Sequence, residues 1–499
     1  MRADAHAAEA DAQSAAGAGL GREIRRLGTQ TLVYGVGGVA LQVVGVVTLP
    51  IFARVFSPAD YGIIELGTVL AAILMIVVDG GMASASQRSY FDHGDDEEAI
   101  RRRVLATAFG FQMLLALLVA LVLAAFAEPI ARALFDGREE TRVIVLVAAA
   151  LPAFAVAQFT REVLRLEFRA WSYLATSVAG AVVGAAVSIV AVLTWDQGVA
   201  GPFIGALAGP LVAGAYGIAL VWRRLVARPS RRELDIMLRY GIPLIPTALA
   251  LWALSLIDRL MLAQLADLDE LGQYAVANRI AIPVLLIVTA LSLALSPFIL
   301  SLHQADPERE KQVRARVLTD FTAALTLTAL VTALWARELT EVVAPAFDEA
   351  FRSVGLVAFG LAAFGVSGVL VAAISIARQT RRLMLYSGVA AAANVGLNLV
   401  LIPAFGQVGA ALATLLAYVL LAALYYRRGQ VVHPTPYRAG LVVTIFAAGL
   451  ALMPLGAIEY PSWGVALVVK LGAVAALVAT FGVAGVVRPG RAVAALRGR

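Results

Sequence analysis

The chain has 499 residues, of which 61% are hydrophobic and 15% are charged, and its mean hydropathy is +0.84. A soluble domain carries about 25% charged residues, so this composition excludes a soluble globular protein and indicates an integral membrane protein. Cysteine is absent, which excludes disulfides, thiolate catalysis and cysteine-ligated metals. The four histidines, His6, His93, His303 and His433, are scattered along the chain, which argues against a histidine-based metal cluster.

Fourteen apolar segments are long enough to cross the roughly 30 Å hydrocarbon core of a bilayer. They lie at about 29–52, 62–82, 104–126, 143–160, 173–194, 202–222, 240–262, 274–302, 317–335, 354–377, 383–403, 408–426, 439–455 and 463–487. About three quarters of the 40 basic residues fall in the tails and in every second loop, which predicts that those loops and both termini are cytoplasmic. The net charge of +6 therefore indicates membrane orientation rather than nucleic-acid binding.

An internal repeat with a shift of roughly 210 residues divides the chain. Tyr34-Gly35 opens the first segment as Tyr240-Gly241 opens the seventh. Six segments separate the copies, and an even number preserves orientation, so the repeat predicts two six-helix lobes related by a pseudo-two-fold axis along the membrane normal. The predicted all-α organisation of fourteen transmembrane helices is a disordered cytoplasmic tail (1–28), an N-lobe (29–222), a basic cytoplasmic linker (223–239), a C-lobe (240–427), two further helices (428–487) and a basic cytoplasmic tail (488–499).

Four motifs occur in a recognisable order. They are Ser57-Pro58-Ala59-Asp60-Tyr61-Gly62, Asp258-Arg259, Gly272-Gln273-Tyr274-Ala275-Val276-Ala277-Asn278-Arg279-Ile280, and the stretch Asn-Leu-Val-Leu-Ile-Pro-Ala-Phe-Gly-Gln-Val-Gly-Ala-Ala at 398–411. Together with the segment layout they resemble the polysaccharide transporter family of oligosaccharide-lipid flippases, over nearly the whole chain after residue 25. That family shares a superfamily with lipid II flippases and multidrug and toxin extruders. The resemblance implies two lobes facing each other in a V, alternating access and a cationic central cavity.

The resemblance also implies a function. Such flippases move an undecaprenyl-pyrophosphate-linked oligosaccharide from the cytoplasmic to the periplasmic leaflet of the bacterial inner membrane, for exopolysaccharide, O-antigen or capsule assembly. The implied partners are the lipid-linked oligosaccharide, membrane lipid, and a polysaccharide polymerase with its chain-length proteins. A cation-coupled multidrug exporter with the same fold remains an alternative. A membrane glycosyltransferase or ligase is a remote one, because the chain has no sizeable periplasmic loop to hold catalytic groups, and we expect no enzyme.

Membrane-embedded cations are the first candidates for binding the headgroup, because a planar guanidinium binds two phosphate oxygens at once. Arg259 and Arg279 lie near the same membrane face and could be phosphate or sugar ligands. Alternatively, Asp258 pairs with Arg279 as a structural clasp while Arg259 extends to the surface. Arg88 is placed to meet a headgroup that enters from the cytoplasm. Lys470 could extend to the surface or face a groove for lipid phosphate.

Embedded carboxylates are candidates for coupling transport to a proton or sodium gradient, the only cofactor-like species the sequence suggests. They are Asp79, Asp258 and Glu65, and for Asp79 the alternative is an ion pair with an arginine of the adjacent loop. Asn394 and Asn398 are four residues apart on the eleventh segment and share one helix face. They could bind sugar, or they could make interhelical hydrogen bonds.

Overall fold

The structure, a computed structural model, describes residues 45, 47–93, 97–135, 137 and 140–483. Over those ranges the chain is almost entirely helical and contains no β-strand. The predicted tails and most of the first apolar segment lie outside the described residues. In the first half of the chain the helices are α1 (Pro58–Asp79), α2 (Met82–Phe91), α3 (Glu98–Ala125), α4 (Ala127–Leu134), α5 (Thr141–Leu166), α6 (Ala170–Leu193), α7 (Gly201–Leu225) and α8 (Arg231–Gly241).

The second half of the chain is also helical. Its helices are α9 (Ile245–Leu265), α10 (Leu268–Ile280), α11 (Ile282–Ala305), α12 (Pro307–Leu334), α13 (Ala336–Val343), α14 (Phe351–Ile376), α15 (Thr380–Val432), α16 (Ala439–Leu452) and α17 (Trp463–Val483). Among the described residues, eleven helical stretches are long and apolar enough to cross a membrane, or twelve when the pair α10 and α11, bent by 51°, counts as one.

Local sequence explains where α1 begins and ends. The Ser57 hydroxyl accepts the Asp60 amide at 3.2 Å, and the Asp60 carboxylate accepts the Ser57 amide at 3.1 Å. This reciprocal capping box satisfies two amides that a helix start leaves free, and Pro58 at the first position fits the required φ. The helix ends at Gly80, whose φ of +55° is a left-handed conformation that glycine adopts without strain.

Helix α15 folds back on itself at Gly406, the one residue within it with non-helical backbone angles (φ +54°, ψ −133°). Contacts between its two arms prove the reversal. Ser387 Oγ and Tyr425 Oη are 3.0 Å apart, and the Arg428 guanidinium donates to Gln379 Oε1 at 2.6 Å. The predicted eleventh and twelfth segments therefore form this hairpin, while the total of fourteen stays a prediction because of the undescribed start.

The two halves of the chain pack as separate groups that meet through few elements. In the first half α3, α5, α6 and α7 pack against one another, and in the second half α9, α12, α14 and α15 do so. The described contacts between the halves run chiefly from α1 to α9 and α10, and α2 also contacts α8, whose last residues, Tyr240 and Gly241, begin the predicted C-lobe. Helix α1 is thus the element that positions the residues between the halves.

Candidate functional site

A cluster of charged side chains lies between the halves, on α1, α9 and α10. Glu65 Oε1 of α1 and Arg259 Nε of α9 are 2.6 Å apart, and Arg259 Nη1 is 3.2 Å from Asp258 Oδ1. The side chains of Arg259 and Glu65 are only 11% and 12% exposed. An ion pair this well buried holds its helices together while both charges are present, and it is strongly unfavourable when one is removed.

The structure corrects the predicted clasp in two respects. Arg259 does not extend to the surface, because Glu65 and Asp258 hold its guanidinium inside the protein. Asp258 does not pair with Arg279 either. The carboxylate of Asp258 is 2% exposed, and its Oδ2 accepts a 2.6 Å hydrogen bond from the Tyr274 hydroxyl. Tertiary packing thus gives Arg259 a partner from the other half of the chain.

Arg279 lies in the last turn of α10, with its guanidinium 5.5 Å from the centre of the Tyr61 ring. Tyr61 is 1% exposed, so this cation–π contact is inside the protein. Among the residues that the structure describes, none has a carboxylate within ion-pair distance of Arg279. Its Nη1 points toward Gly45, where an added methyl group would lie 3.2 Å away. Arg279 is therefore a partly buried cation whose described neighbours are an aromatic ring and the Gly45 backbone.

A row of polar side chains connects Asp258 to both arms of α15. Thr414 Oγ1 donates to Asp258 Oδ2 at 3.2 Å, Asn394 Nδ2 donates to Thr414 Oγ1 at 3.3 Å, and Asn398 Nδ2 donates to Asn394 Oδ1 at 3.1 Å. Asn394 and Asn398 are 1% and 0% exposed, and Asn398 Oδ1 has no hydrogen-bond partner. The bond from Asn394 to Thr414 joins the two arms of α15. Interhelical hydrogen bonding was one of the two roles that the sequence suggested for the asparagines. Carboxylate, hydroxyl and amide oxygens are also the ligands that hard cations prefer.

The backbones of the two halves touch at the start of α1, the end that we call the far end. A Cβ atom added to Gly62 would lie 2.2 Å from the Leu268 carbonyl oxygen, and one added to Gly272 would lie 1.9 Å from that of Pro58. Such distances are far inside van der Waals contact, so both positions require glycine for this approach. The glycines of two motifs quoted above are therefore a contact between α1 and α10.

A second backbone contact lies at the opposite end of α1, which we call the basic end. Gly81 has a φ of +76°, and a Cβ atom there would lie 2.3 Å from the Gly241 carbonyl oxygen. Arg88 of α2 lies beside this contact, with its guanidinium 4.6 Å from the centre of the Tyr240 ring. Its other contact is a 3.7 Å ion pair with Asp92. Arg88 thus lies at the predicted cytoplasmic surface, where the halves meet. Its side chain is 59% exposed.

Asp79 does not form the ion pair with a loop arginine that was considered for it. Its carboxylate accepts hydrogen bonds from the Gly81 amide at 3.1 Å, the Ala83 amide at 3.1 Å and Gln112 Nε2 at 2.9 Å. No arginine of the described residues lies within ion-pair distance of it. These contacts cap the start of α2 and favour a structural role, because neutral donors already satisfy the carboxylate.

Lys470 of α17 neither extends to the surface nor faces an open groove. Its ammonium group pairs with the Glu338 carboxylate of α13 and lies 6.0 Å from the centre of the Trp335 ring. The Lys470 side chain is 3% exposed. The ion pair therefore connects α17 to α13.

Sequence reasoning missed two members of the site. Tyr274 appears only as one letter of a quoted motif, and Thr414 carries no charge that draws attention to it. A signal for Tyr274 exists, because a tyrosine deep in an apolar bundle needs a partner for its hydroxyl. The embedded Asp258 is an obvious acceptor, and the observed hydrogen bond is 2.6 Å long.

Residues 27–303 match the family model described as polysaccharide biosynthesis protein. The succinoglycan biosynthesis transport protein ExoT of Rhizobium meliloti (strain 1021) is 24% identical over 297 residues, which are 58% of this chain and 56% of that protein. The chain therefore spans little more than half the length of this curated relative.

Solved structures show the same fold. The lipid II flippase MurJ in an inward closed conformation superposes with a TM-score of 0.71 at 13% identity, covering 90% of this chain and 98% of that one. An inward-facing multidrug resistance MATE family transporter of the MOP superfamily reaches 0.57 at 15% identity, covering 81% and 93%. The predicted all-α membrane fold is confirmed.

Proposed function

Since the chain belongs to the family of polysaccharide biosynthesis proteins, we propose that it is a flippase for an undecaprenyl-pyrophosphate-linked oligosaccharide. The cargo moves from the cytoplasmic to the periplasmic leaflet of a bacterial inner membrane, and both termini of the chain are cytoplasmic. A polysaccharide polymerase with its chain-length proteins then receives the cargo. Support comes from the sequence similarity to a succinoglycan biosynthesis transport protein and from the fold shared with a lipid II flippase.

The observation that carries the proposal is Arg279, a cation held inside the protein without a described carboxylate partner. A diphosphate is too strongly hydrated to enter hydrocarbon unless the protein replaces its water with charged donors. A guanidinium does so with two parallel hydrogen bonds to phosphate oxygens. Arg279 therefore binds the diphosphate, and the Tyr61 ring holds the guanidinium in position from its other side.

Arg259 supplies a second cation by exchanging partners. In this structure two carboxylates, those of Glu65 and Asp258, contact its guanidinium. When the diphosphate enters, its oxygens replace the Glu65 carboxylate at the guanidinium. The exchange breaks the 2.6 Å link between α1 and α9, so substrate binding and separation of the halves occur together.

Asp258 is the residue at which a coupling cation acts. A proton on Asp258, or a sodium ion held among the oxygens of Asp258, Thr414, Asn394 and Asn398, removes the negative charge that Arg259 contacts. The attraction between Asp258 and Arg259 then weakens, and the guanidinium becomes available to phosphate. The free Oδ1 of Asn398 gives this row one unfilled ligand position.

A cation-coupled multidrug exporter is the second candidate, and one observation favours it. The fold also matches MATE transporters, and the two buried carboxylates, Glu65 and Asp258, could bind an organic cation once Arg259 has moved away. Arg279 opposes this function, because a cation without a described carboxylate partner repels a cationic drug.

The test is leaflet movement in proteoliposomes that contain the purified protein and a fluorescent undecaprenyl-pyrophosphate oligosaccharide. We expect the wild type to move the lipid to the other leaflet with every bond intact, Arg279→Gln to lose this activity, and the control Arg352→Gln, at a 54% exposed arginine, to keep it. Movement of an organic cation instead of the lipid supports the exporter. Release or transfer of the sugar supports the enzyme, and either result contradicts the flippase.

A further inference from the structure

Two histidines that lie 130 positions apart in the printed sequence are neighbours in the fold. His303 lies in the last turn of α11 and His433 directly follows α15, and their ring centres are 5.2 Å apart. The sequence expectation that the histidines remain scattered is wrong for this pair. Glu310 in the first turn of α12 lies between them and is 0% exposed.

The turn between α11 and α12 brings Glu310 to this position. The Asp306 side chain caps α12 by accepting the Arg309 amide at 3.0 Å, and Pro307 occupies the first position of the helix. This tight start turns the chain immediately after α11. Glu310 consequently lies beside His303 on the neighbouring helix end.

The three side chains present one donor atom each to a common point. Glu310 Oε2 is 2.8 Å from His433 Nε2 and 3.7 Å from His303 Nδ1, and the three donor atoms lie within 4.8 Å of one another. A tetrahedral zinc ion holds nitrogen and oxygen ligands at about 2.0–2.1 Å, which places the ligand atoms about 3.3 Å apart. The two distances to Glu310 Oε2 differ from that spacing by about half an ångström, and the two histidine nitrogens, which lie within 4.8 Å of each other, would approach by at most about 1.5 Å.

A second, independent observation points to a missing ligand. His303 Nδ1 is buried and has no hydrogen-bond partner, although the rest of the His303 side chain is 28% exposed. A buried nitrogen without a partner is unfavourable unless something binds it. The Glu310 oxygen can share a proton with only one of the two imidazoles at a time, and it already contacts His433. An ion at the common point satisfies both.

The surrounding groups orient the carboxylate. Glu310 Oε1 is 2.7 Å from Arg314 Nε, and Arg314 Nη2 donates to Thr435 Oγ1 at 2.6 Å. Arg314 is 0% exposed, and its guanidinium lies beside one carboxylate oxygen of Glu310 while the other oxygen faces the imidazoles. Outer contacts of this kind commonly hold the ligands of metal sites in place. The partial exposure of His303 and His433 leaves an entry path for an ion.

We propose that His303 Nδ1, Glu310 Oε2 and His433 Nε2 form a binding site for a divalent transition-metal ion of the zinc class, with water as the fourth ligand. Two imidazoles and one carboxylate are a donor set that zinc accepts. The bound ion joins the end of α11, the start of α12 and the residue after α15. It thereby fixes the end of α11, the helix that departs from α10 through the 51° bend.

The test measures zinc on full-length detergent-purified protein from which any affinity tag has been cleaved. The chain lacks cysteine and has four histidines, so few other strong ligands compete. After stripping with a chelator, loading with zinc and gel filtration, we expect about one zinc ion per wild-type chain. His303→Gln and His433→Gln should each lower the affinity at least about tenfold. The control His93→Gln, at the end of α2, should bind as the wild type does.

If a variant does not fold, the visible absorption spectrum of cobalt bound to the wild-type protein still tests the site. A tetrahedral site with imidazole ligands gives cobalt a strong visible band, which added zinc removes. No zinc on the wild type, equal retention by the two histidine variants, or a weak cobalt spectrum typical of six oxygen ligands would each overturn the proposal. Because the assay measures metal and not transport, its failure leaves the flippase proposal untouched.

Discussion

At the scale of single residues, two arginines with similar sequence surroundings have different environments. Arg259 is held by two carboxylates, whereas Arg279 faces the ring of Tyr61 and no described carboxylate. The sequence identifies both as embedded cations, but the α1 residues that contact them, Glu65 and Tyr61, lie about 200 positions away in the chain. Long-range packing, which no local pattern encodes, therefore determines which arginine is available to an anion.

The pair between Glu65 and Arg259 makes a prediction about stability. Removing one member of a buried pair leaves an uncompensated charge and costs about 3–5 kcal/mol. Arg259→Gln should destabilise more than Glu65→Gln, because it leaves two carboxylates unpaired whereas Arg259 retains Asp258. The double variant should recover part of the loss. Thermal unfolding of the four proteins in detergent measures this, and strictly additive losses would show that the two side chains do not interact.

The coupling assignment makes a separate prediction. Asp258→Asn keeps the shape of the residue but removes the charge that a proton or sodium ion neutralises, so transport should lose its dependence on an imposed gradient. Asp79→Asn is the matched control, because it removes a carboxylate charge outside the cluster and its one amide oxygen can still accept one of the two helix-capping bonds that Oδ2 and Oδ1 accept from the Gly81 and Ala83 amides. Transport at a range of proton and sodium gradients distinguishes them. Retained gradient dependence in Asp258→Asn, or its loss in Asp79→Asn, would reverse the two assignments.

At the scale of helices, much could be predicted from sequence. Apolar length located the spans, Ser57 and Asp60 predict the start of α1, and Gly406 explains the turn within the α15 hairpin. The bend between α10 and α11 has a sequence signal, because Pro283 lies at the second position of α11 and proline breaks or kinks a span. Helix α8 was missed, since a basic linker has the same composition whether or not it is helical. Apolar periodicity reports burial in lipid or protein, and it does not report backbone direction.

The glycine contact at the far end makes a prediction about helix packing. Gly272→Ala places a methyl group on the Pro58 carbonyl, so α1 and α10 cannot close. Ala275 lies one turn further along the same helix face and is 1% exposed. Ala275→Cys, which introduces the only cysteine, should react with a water-soluble maleimide far faster in the Gly272→Ala background. Transport should fall in that background.

A matched control separates closure from any general effect of adding a methyl group. Gly396 has open space where a Cβ atom would lie, so Gly396→Ala should change neither labelling of Cys at position 275 nor transport. Unchanged labelling in the Gly272→Ala background would mean that this end is open in the resting protein. The far-end contact would then be no part of the transport cycle.

At the scale of the whole molecule, two helical groups meet along α1, and their contacts at its two ends lie on either side of the charged cluster. The fold was predictable because membrane crossing imposes length and charge rules on every segment. The pairing of the central charges was not, because opposite charges on several helices allow several neutral combinations. Opening one end while the other stays closed exposes the cluster to one side at a time, which is what alternating access requires.

The central claim is that Arg279 binds the diphosphate of a lipid-linked substrate, and the most direct measurement is the affinity of purified protein for undecaprenyl pyrophosphate. Hydrogen bonds to charged groups contribute about 1.5–3 kcal/mol, so Arg279→Gln should weaken binding by about tenfold or more. Arg279→Lys should recover part of the affinity by restoring the charge without the planar fork. The surface variant Arg352→Gln should bind as the wild type does. Equal affinities for the wild type and Arg279→Gln would contradict the account.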